Sequence, residues 1–156
     1  PFQVHKNYIC HYSPYFEAAF NGRFIEGETQ ILDLDDTNPL VFDIFVNWLY
    51  TQTVVDEEGI FPSCSDCINL WILSDRLLVP SLQNQALPAL DKARILYEGM
   101  EGKDLTDEIF QRVYTHTGVR SCLRMYLVKV IVELPARSRI RRPERYPQEM
   151  LVSIIH

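Results

Sequence analysis

The segment that most limits what this chain can fold into runs from Ile68 to Val79. There Ile68-Asn69-Leu70-Trp71-Ile72-Leu73 leads into Leu77-Leu78-Val79. Its apolar side chains fall nearly all round a helix, and such a helix must be covered on every side. The remaining chain must therefore supply a shell of amphipathic pieces. Pro80 ends this central helix and starts the next, whose sides carry Leu82, Ala86 and Leu87. Pro88 falls inside that second pattern and predicts a kink or a split, because it removes an amide donor and crowds the preceding turn. Ala89 to Tyr97 then resumes helical spacing.

The first fifty residues read as alternating short elements. Phe2-Gln3-Val4 alternates apolar and polar, as a half-buried strand does. His5-Lys6 opens a short helical stretch with Tyr8, Ile9 and Tyr12 on one side. Ser13-Pro14 is a strong helix start, since the Ser hydroxyl can accept an orphan amide and Pro is preorganised at the first position. Phe16, Ala19 and Phe20 follow at helical spacing, and Asn21-Gly22 stops the helix. Arg23 to Thr29 reads as a loop, and Gln30 to Leu34 as a second strand. The caps in Asp35-Asp36-Thr37-Asn38, followed by Pro39, predict a helix with Val41, Phe42, Phe45, Trp48 and Leu49 on a wide apolar stripe. Gln52 to Ser65 is a connector.

Beyond Tyr97 the signals thin. Glu98 to Gly102 is a break, and Thr106 with Asp107 and Glu108 in the first turn predicts a helix through Tyr114. Residues 121–134 place Leu123, Leu127, Val130, Ile131 and Leu134 on one helical stripe, which predicts docking on the domain. Pro147 leads a last short helix. Residues 1–97 thus read as one domain and residues 98–156 as a helical extension with an Arg-rich segment.

Charge is uneven along the chain. The net −6 divides into −11 over residues 1–119 and +5 over residues 120–156. An acidic body repels nucleic acid, whose binding depends on Lys/Arg neutralising phosphates, so nucleic acid is not the expected partner. No apolar run reaches the ~18 residues that cross a membrane, and the N-terminus lacks a secretory pattern. Cytoplasm, nucleus or both are the expected location, with Cys10, Cys64, Cys67 and Cys122 as reduced thiols. The chain opens at Pro1 inside a strand-like segment, which reads as a fragment.

Candidate chemistry is sparse. Cys64-x-x-Cys67 has redox or zinc spacing, but no second CxxC or HxxxH completes four ligands, and Cys67 falls on an apolar helix face. His5 has no Ser, Cys or Asp around it in a nucleophile arrangement and reads as a capping or core-edge residue. His11, His116 and His156 are scattered. Asp33, Asp35 and Asp36 lack the spacing and glycine of a calcium loop and read as turn capping and solvation. No phosphate-binding glycine motif occurs. The expectation is a non-enzymatic chain with no metal, no cofactor and no small-molecule substrate. Arg137, Arg139, Arg141, Arg142 and Arg145 form a basic segment: a solvated linker, a localisation signal or a patch for acidic partners.

Phe2-x-Val4-His5-Lys6, Ile9, Ser13-x-x-Phe16 and Phe20 together resemble the opening signature of BTB/POZ domains. The Ile31/Leu34 strand, the Asp-rich turn, Phe42, Phe45, Trp48-Leu49-Tyr50-Thr51 and Leu70-x-x-Leu73-x-Asp75-x-Leu77-x-Val79-x-x-Leu82 follow in the family's order. The run Leu78 to Gln85 is most similar to fungal members. The resemblance covers about residues 2–97. It implies a helix-rich α/β (α+β) domain, a small sheet with a cluster of helices, acting as a protein–protein interaction module. The family's usual first helix and strand, which build its swapped homodimer, would precede Pro1. The domain reads as N-terminally truncated, which counts against homodimerisation by that route. Phe24-Ile25-Glu26 resembles the hydrophobic–x–Glu segment by which BTB adaptors of ubiquitin ligases contact a cullin. With Phe45, Trp48 and Tyr50 it forms the expected partner surface. The alternative is a nuclear regulator that oligomerises or recruits corepressors.

Overall fold

The computed structural model describes residues 1–97, 106–133 and 143–155. They fall in two compact units, Pro1–Tyr97 and Glu98–His156. The first holds α1 (Lys6–Tyr12), α2 (Pro14–Asn21), α3 (Ile25–Thr29), α4 (Pro39–Thr51), α5 (Cys64–Arg76) and α6 (Pro80–Tyr97). The second holds α7 (Asp107–His116), α8 (Cys122–Glu133), a 3₁₀ turn at Pro143–Arg145, and α9 (Gln148–Ile155). The predicted break at Glu98 to Gly102 and the end of the 121–134 stripe, Leu134, lie outside the described residues.

In the first unit α5 is the buried centre, with Cys67, Ile68 and Leu70 fully enclosed. Helix α6 lies along it and α4 also packs on it. Phe45 and Trp48 of α4 are both 0 % exposed. Trp48 meets Tyr12 edge-on at 5.1 Å and donates its indole Nε1–H to Gln85 Oε1 at 3.1 Å. Phe45 stacks on Phe16 of α2, which stacks on Phe20. Such ring contacts add roughly 0.5–1.5 kcal/mol each beyond the area they bury.

The helix starts carry the expected chemistry. Ser13 Oγ accepts from Phe16 N at 3.2 Å while donating to the Leu77 carbonyl at 2.6 Å. Asn38 Oδ1 accepts from Leu40 N at 2.9 Å. Ser63 caps α5 by accepting from Asp66 N and donating to its carboxylate, so the central helix begins earlier than its apolar run. Thr106 occupies the cap position of α7 with no side-chain hydrogen bond.

Three sequence expectations are corrected. Among the described residues there is no β-strand, so the small sheet is not formed there. Phe2-Gln3-Val4 and Gln30 to Leu34 have strand-like patterns, but a strand exists only where a neighbour completes a ladder, and alternation does not supply one. The Arg23–Thr29 loop contains α3: Glu26 and Glu28 in its first turn suit the helix dipole. Gln30, at φ 56°, closes it by donating its amide to the Glu26 carbonyl. Helix α6 is not split at Pro88 but continues through it. Proline costs a helix interior about 3 kcal/mol, and burial of Leu82, Ala86, Ala89, Leu90 and Ala93 outweighs that penalty.

The second unit is built around a residue that hydrophobic patterning does not single out. Leu123, Leu127, Val130 and Ile131 of α8 are buried, and the elements α8 packs on are α7 and α9 of its own unit, where the stripe was expected to dock on the domain. Arg124 on the same helix is only 7 % exposed. Its Nε donates to Thr117 Oγ1 at 2.9 Å, its Nη2 to the carbonyls of Tyr114 and Thr117, and its Nη1 to Glu149 Oε2 at 2.5 Å. The guanidinium also lies 4.3 Å from the Tyr114 ring centre.

Two stability tests follow from these bonds. Ser13→Ala removes a cap and orphans a buried carbonyl, so it lowers stability by about 2–3 kcal/mol, against about 1 for Asn38→Ala. Both tryptophans, Trp48 and Trp71, lie in the first unit, so fluorescence-detected urea unfolding reads that unit directly. In the second unit Arg124→Met costs about 2–3 kcal/mol, because three partly buried acceptors lose their donor. Glu149→Gln costs under about 1, since Glu149 is 67 % exposed and its pairing is screened. Hydrogen exchange across α7 to α9 measures both.

Candidate functional site

Phe24 and Ile25 are each 69 % exposed, at the cap and first position of α3, with Glu26 half-buried beside them. Large apolar side chains this bare stand out on a helix of five residues. Their position is fixed by the backbone around them. A Cβ at Gly27 would strike the Gly22 carbonyl oxygen, and one at Gly22 would strike the Ala18 carbonyl oxygen. Two glycines thus let α3 lie against the end of α2. The Phe20 carbonyl accepts from Lys6 Nζ at 3.1 Å and from Gln30 Nε2 at 3.1 Å. Gln30 Nε2 also reaches the Gly27 carbonyl at 2.6 Å. Phe24 is therefore presented on a braced turn. The Asn21-Gly22 stop signal marked the place, but the bracing by Gln30 has no signal in local sequence.

The other expected contact residues divide. Phe45 and Trp48 are wholly inside the core, so their side chains hold the fold and offer no surface. The cause is their position on the α4 stripe that faces α2 and α5. Tyr50 is 43 % exposed on the same helix. Its hydroxyl accepts from His5 N at 3.1 Å and pairs with His5 Nδ1 at 2.8 Å, and its ring lies 5.0 Å from Tyr8. His5 occupies the cap position of α1 but caps nothing with its side chain, which bonds Tyr50 instead. Tyr50, His5 and Tyr8 form a separate aromatic cluster. Of the basic segment, Arg137, Arg139, Arg141 and Arg142 lie outside the described residues. Arg145 closes the 3₁₀ turn.

Cys67 is fully buried, and burial, then Cys64 and Asp66, push its thiol up to about 12. A reactive or metal-binding cysteine needs the opposite shift, toward thiolate. Asp33, Asp35 and Asp36 are exposed, and among the described residues no group of three or more His, Cys, Asp or Glu could hold a metal ion. Likewise, no described helix is long and apolar enough to cross a membrane.

This chain belongs to the BTB/POZ domain family, which matches residues 1–93. Such a domain is a protein–protein interaction module, so protein partners are its ligands. The chain is also similar to the Kelch repeat protein M-T8 of Myxoma virus (strain Lausanne), at 32 % identity over 57 residues. The match covers 36 % of this chain and 11 % of the viral protein. No solved structure matches the chain.

The thiol makes a pH prediction. Cys67 holds its proton more tightly folded than unfolded, so its contribution to stability is complete below the ordinary thiol pKa near ~8.5. It falls as pH rises from there toward about 12. Between pH ~8.5 and ~10 the wild type should lose stability more steeply than Cys67→Ala, by about 1.4 kcal/mol per pH unit. Equal slopes in urea unfolding would show that Cys67 is not protected.

Proposed function

We propose that the N-terminal unit is an adaptor that brings a protein partner to a cullin-type ubiquitin ligase, with Phe24 and Glu26 in the cullin contact. The observation that carries this reading is the exposure of Phe24 and Ile25 at 69 % each on a turn that Gln30 ties to the end of α2. An aromatic anchor held in place loses little freedom on binding, and an adjacent carboxylate adds a charge-assisted hydrogen bond. The resemblance of Phe24-Ile25-Glu26 to the hydrophobic–x–Glu segment of cullin adaptors supports it. So does likeness to a Kelch repeat protein. Tyr50 is the α4 residue available to the same partner. The Leu78 to Gln85 wording makes fungal members the proposed nearest branch.

Binding of the 156-residue chain to a cullin N-terminal region, read by calorimetry, tests the proposal. Phe24→Ala should weaken binding by about 2 kcal/mol or more, as hot-spot truncations do. Glu26→Ala should cost about 1–3 kcal/mol. Trp fluorescence of both variants should match wild type, because Phe24 lies outside the core. Undiminished binding in both, or none in wild type, removes these residues from the account.

A further inference from the structure

Two helices of the N-terminal unit end in the same pair of residues. Thr29-Gln30 closes α3 and Thr51-Gln52 closes α4. In each pair the glutamine is left-handed, at φ 56° and 57°, and its amide bonds the carbonyl four residues back. Both threonines are exposed, and each Oγ1 donates to the carbonyl four residues back, Ile25 or Asn47, at 2.9 Å. The same oxygen accepts from the amide two residues on, that of Ile31 or Thr53. Each hydroxyl thus ties the last turn of its helix to the chain that leaves it.

The two helices differ in what else holds them. Helix α4 buries Val41, Ile44, Phe45, Trp48 and Leu49, whereas no residue of α3 is buried. A five-residue helix of that kind is held by its polar bonds, and losing them opens it. Glu26 and Glu28 lie within one turn of Thr29, while residues 44–51 hold no carboxylate. A phosphate on Thr29 removes the hydroxyl proton that the Ile25 carbonyl receives. It also sets a charge of about −2 at the negative end of the helix, beside two carboxylates. We propose that Thr29 is a phosphorylation site, and that phosphate there unfolds α3 and withdraws Phe24 and Ile25. In the transfer Thr29 Oγ1 attacks the γ-phosphorus of ATP and the bond to the bridging oxygen breaks. ADP leaves, and the hydroxyl proton passes to the kinase's base. Gln30, directly after the acceptor, is what one class of serine/threonine kinase reads, and local opening of α3 offers the pair as extended chain. Thr51-Gln52 is the same pair on a helix secured by its core, so it is not offered in that way. The loss of binding rests on the cullin contact proposed above; the opening of α3 does not.

The test uses the 156-residue chain. With magnesium ATP and a kinase that selects glutamine after the acceptor, mass spectrometry should find phosphate at Thr29 at least about tenfold over Thr51. Hydrogen exchange then compares chains with phosphothreonine installed at position 29 or at position 51. Phosphate at Thr29 should speed exchange of the Gly27 to Gln30 amides at least about tenfold. Thr29→Val, which loses the bonds without gaining charge, should speed it less than about fivefold. Phosphate at Thr51 should leave Val41 to Leu49 within about twofold of the unmodified chain. No incorporation at Thr29, unchanged or slowed exchange in α3, or equal opening of both helices would overturn the proposal. Calorimetry with a cullin N-terminal region reads the consequence separately. Phosphate at Thr29 should weaken that binding at least about tenfold, and equal affinity of the two forms would overturn the switch. An unmodified chain that does not bind removes the cullin contact alone, and the exchange result still decides the fate of α3.

Discussion

A fully buried hydroxyl joins the two halves of the N-terminal unit. Ser13 Oγ caps α2 and, 64 residues away in sequence, holds the Leu77 carbonyl at the end of α5. That carbonyl belongs to the turn before α6, where Leu78 sits at φ 56°. A left-handed leucine costs roughly 1–2 kcal/mol and persists only where its surroundings impose it. The Ser13 bond is one of the contacts that impose it. Helices α1 and α2 are thereby tied to the α5–α6 corner, and the aromatic series Phe20, Phe16 and Phe45 fills the space between.

The proposed interaction surface depends on that frame. Phe16 is anchored in the core, so α2 ends in a fixed place, and α3 leans on that end through Gly22 and Gly27. A turn of five residues would not hold its shape alone. Here Gln30, at its end, bonds to the Phe20 carbonyl of α2, a carbonyl that Lys6 of α1 also holds. Rigidity and exposure are combined at Phe24 and Ile25, as a protein-interaction module requires.

Much of the helical fold was legible in sequence because its signals are local. Ser13-Pro14 and Asn38-Pro39 announce helix starts by capping chemistry, and the Ile68 to Leu77 run announces a helix that must be buried. What was not legible depends on tertiary partners. Strand-like alternation at Phe2 to Val4 and Gln30 to Leu34 says nothing of whether a neighbour completes a ladder. Pro88 reads as a break until the burial of Ala86, Ala89 and Leu90 is known. Arg124 carries no signal in the apolar pattern, yet its donors meet acceptors from α7, the turn after it, and α9. For the proposed contact, Phe24 and Glu26 were singled out by motif, and the structure leaves Phe24 exposed and Glu26 half-buried. Phe45 and Trp48 were mistaken for surface because an aromatic on an amphipathic helix does not declare which side of its stripe it occupies.

In the proposed contact this domain meets its partner through the α3 turn and not through Phe45 and Trp48 of α4. Hydrogen exchange of the full chain, free and saturated with a cullin N-terminal region, tests it most directly. The account predicts slowed exchange concentrated in Arg23 to Gln30, with the core amides of Val41 to Leu49 unchanged. Binding without slowed exchange in that turn would contradict it.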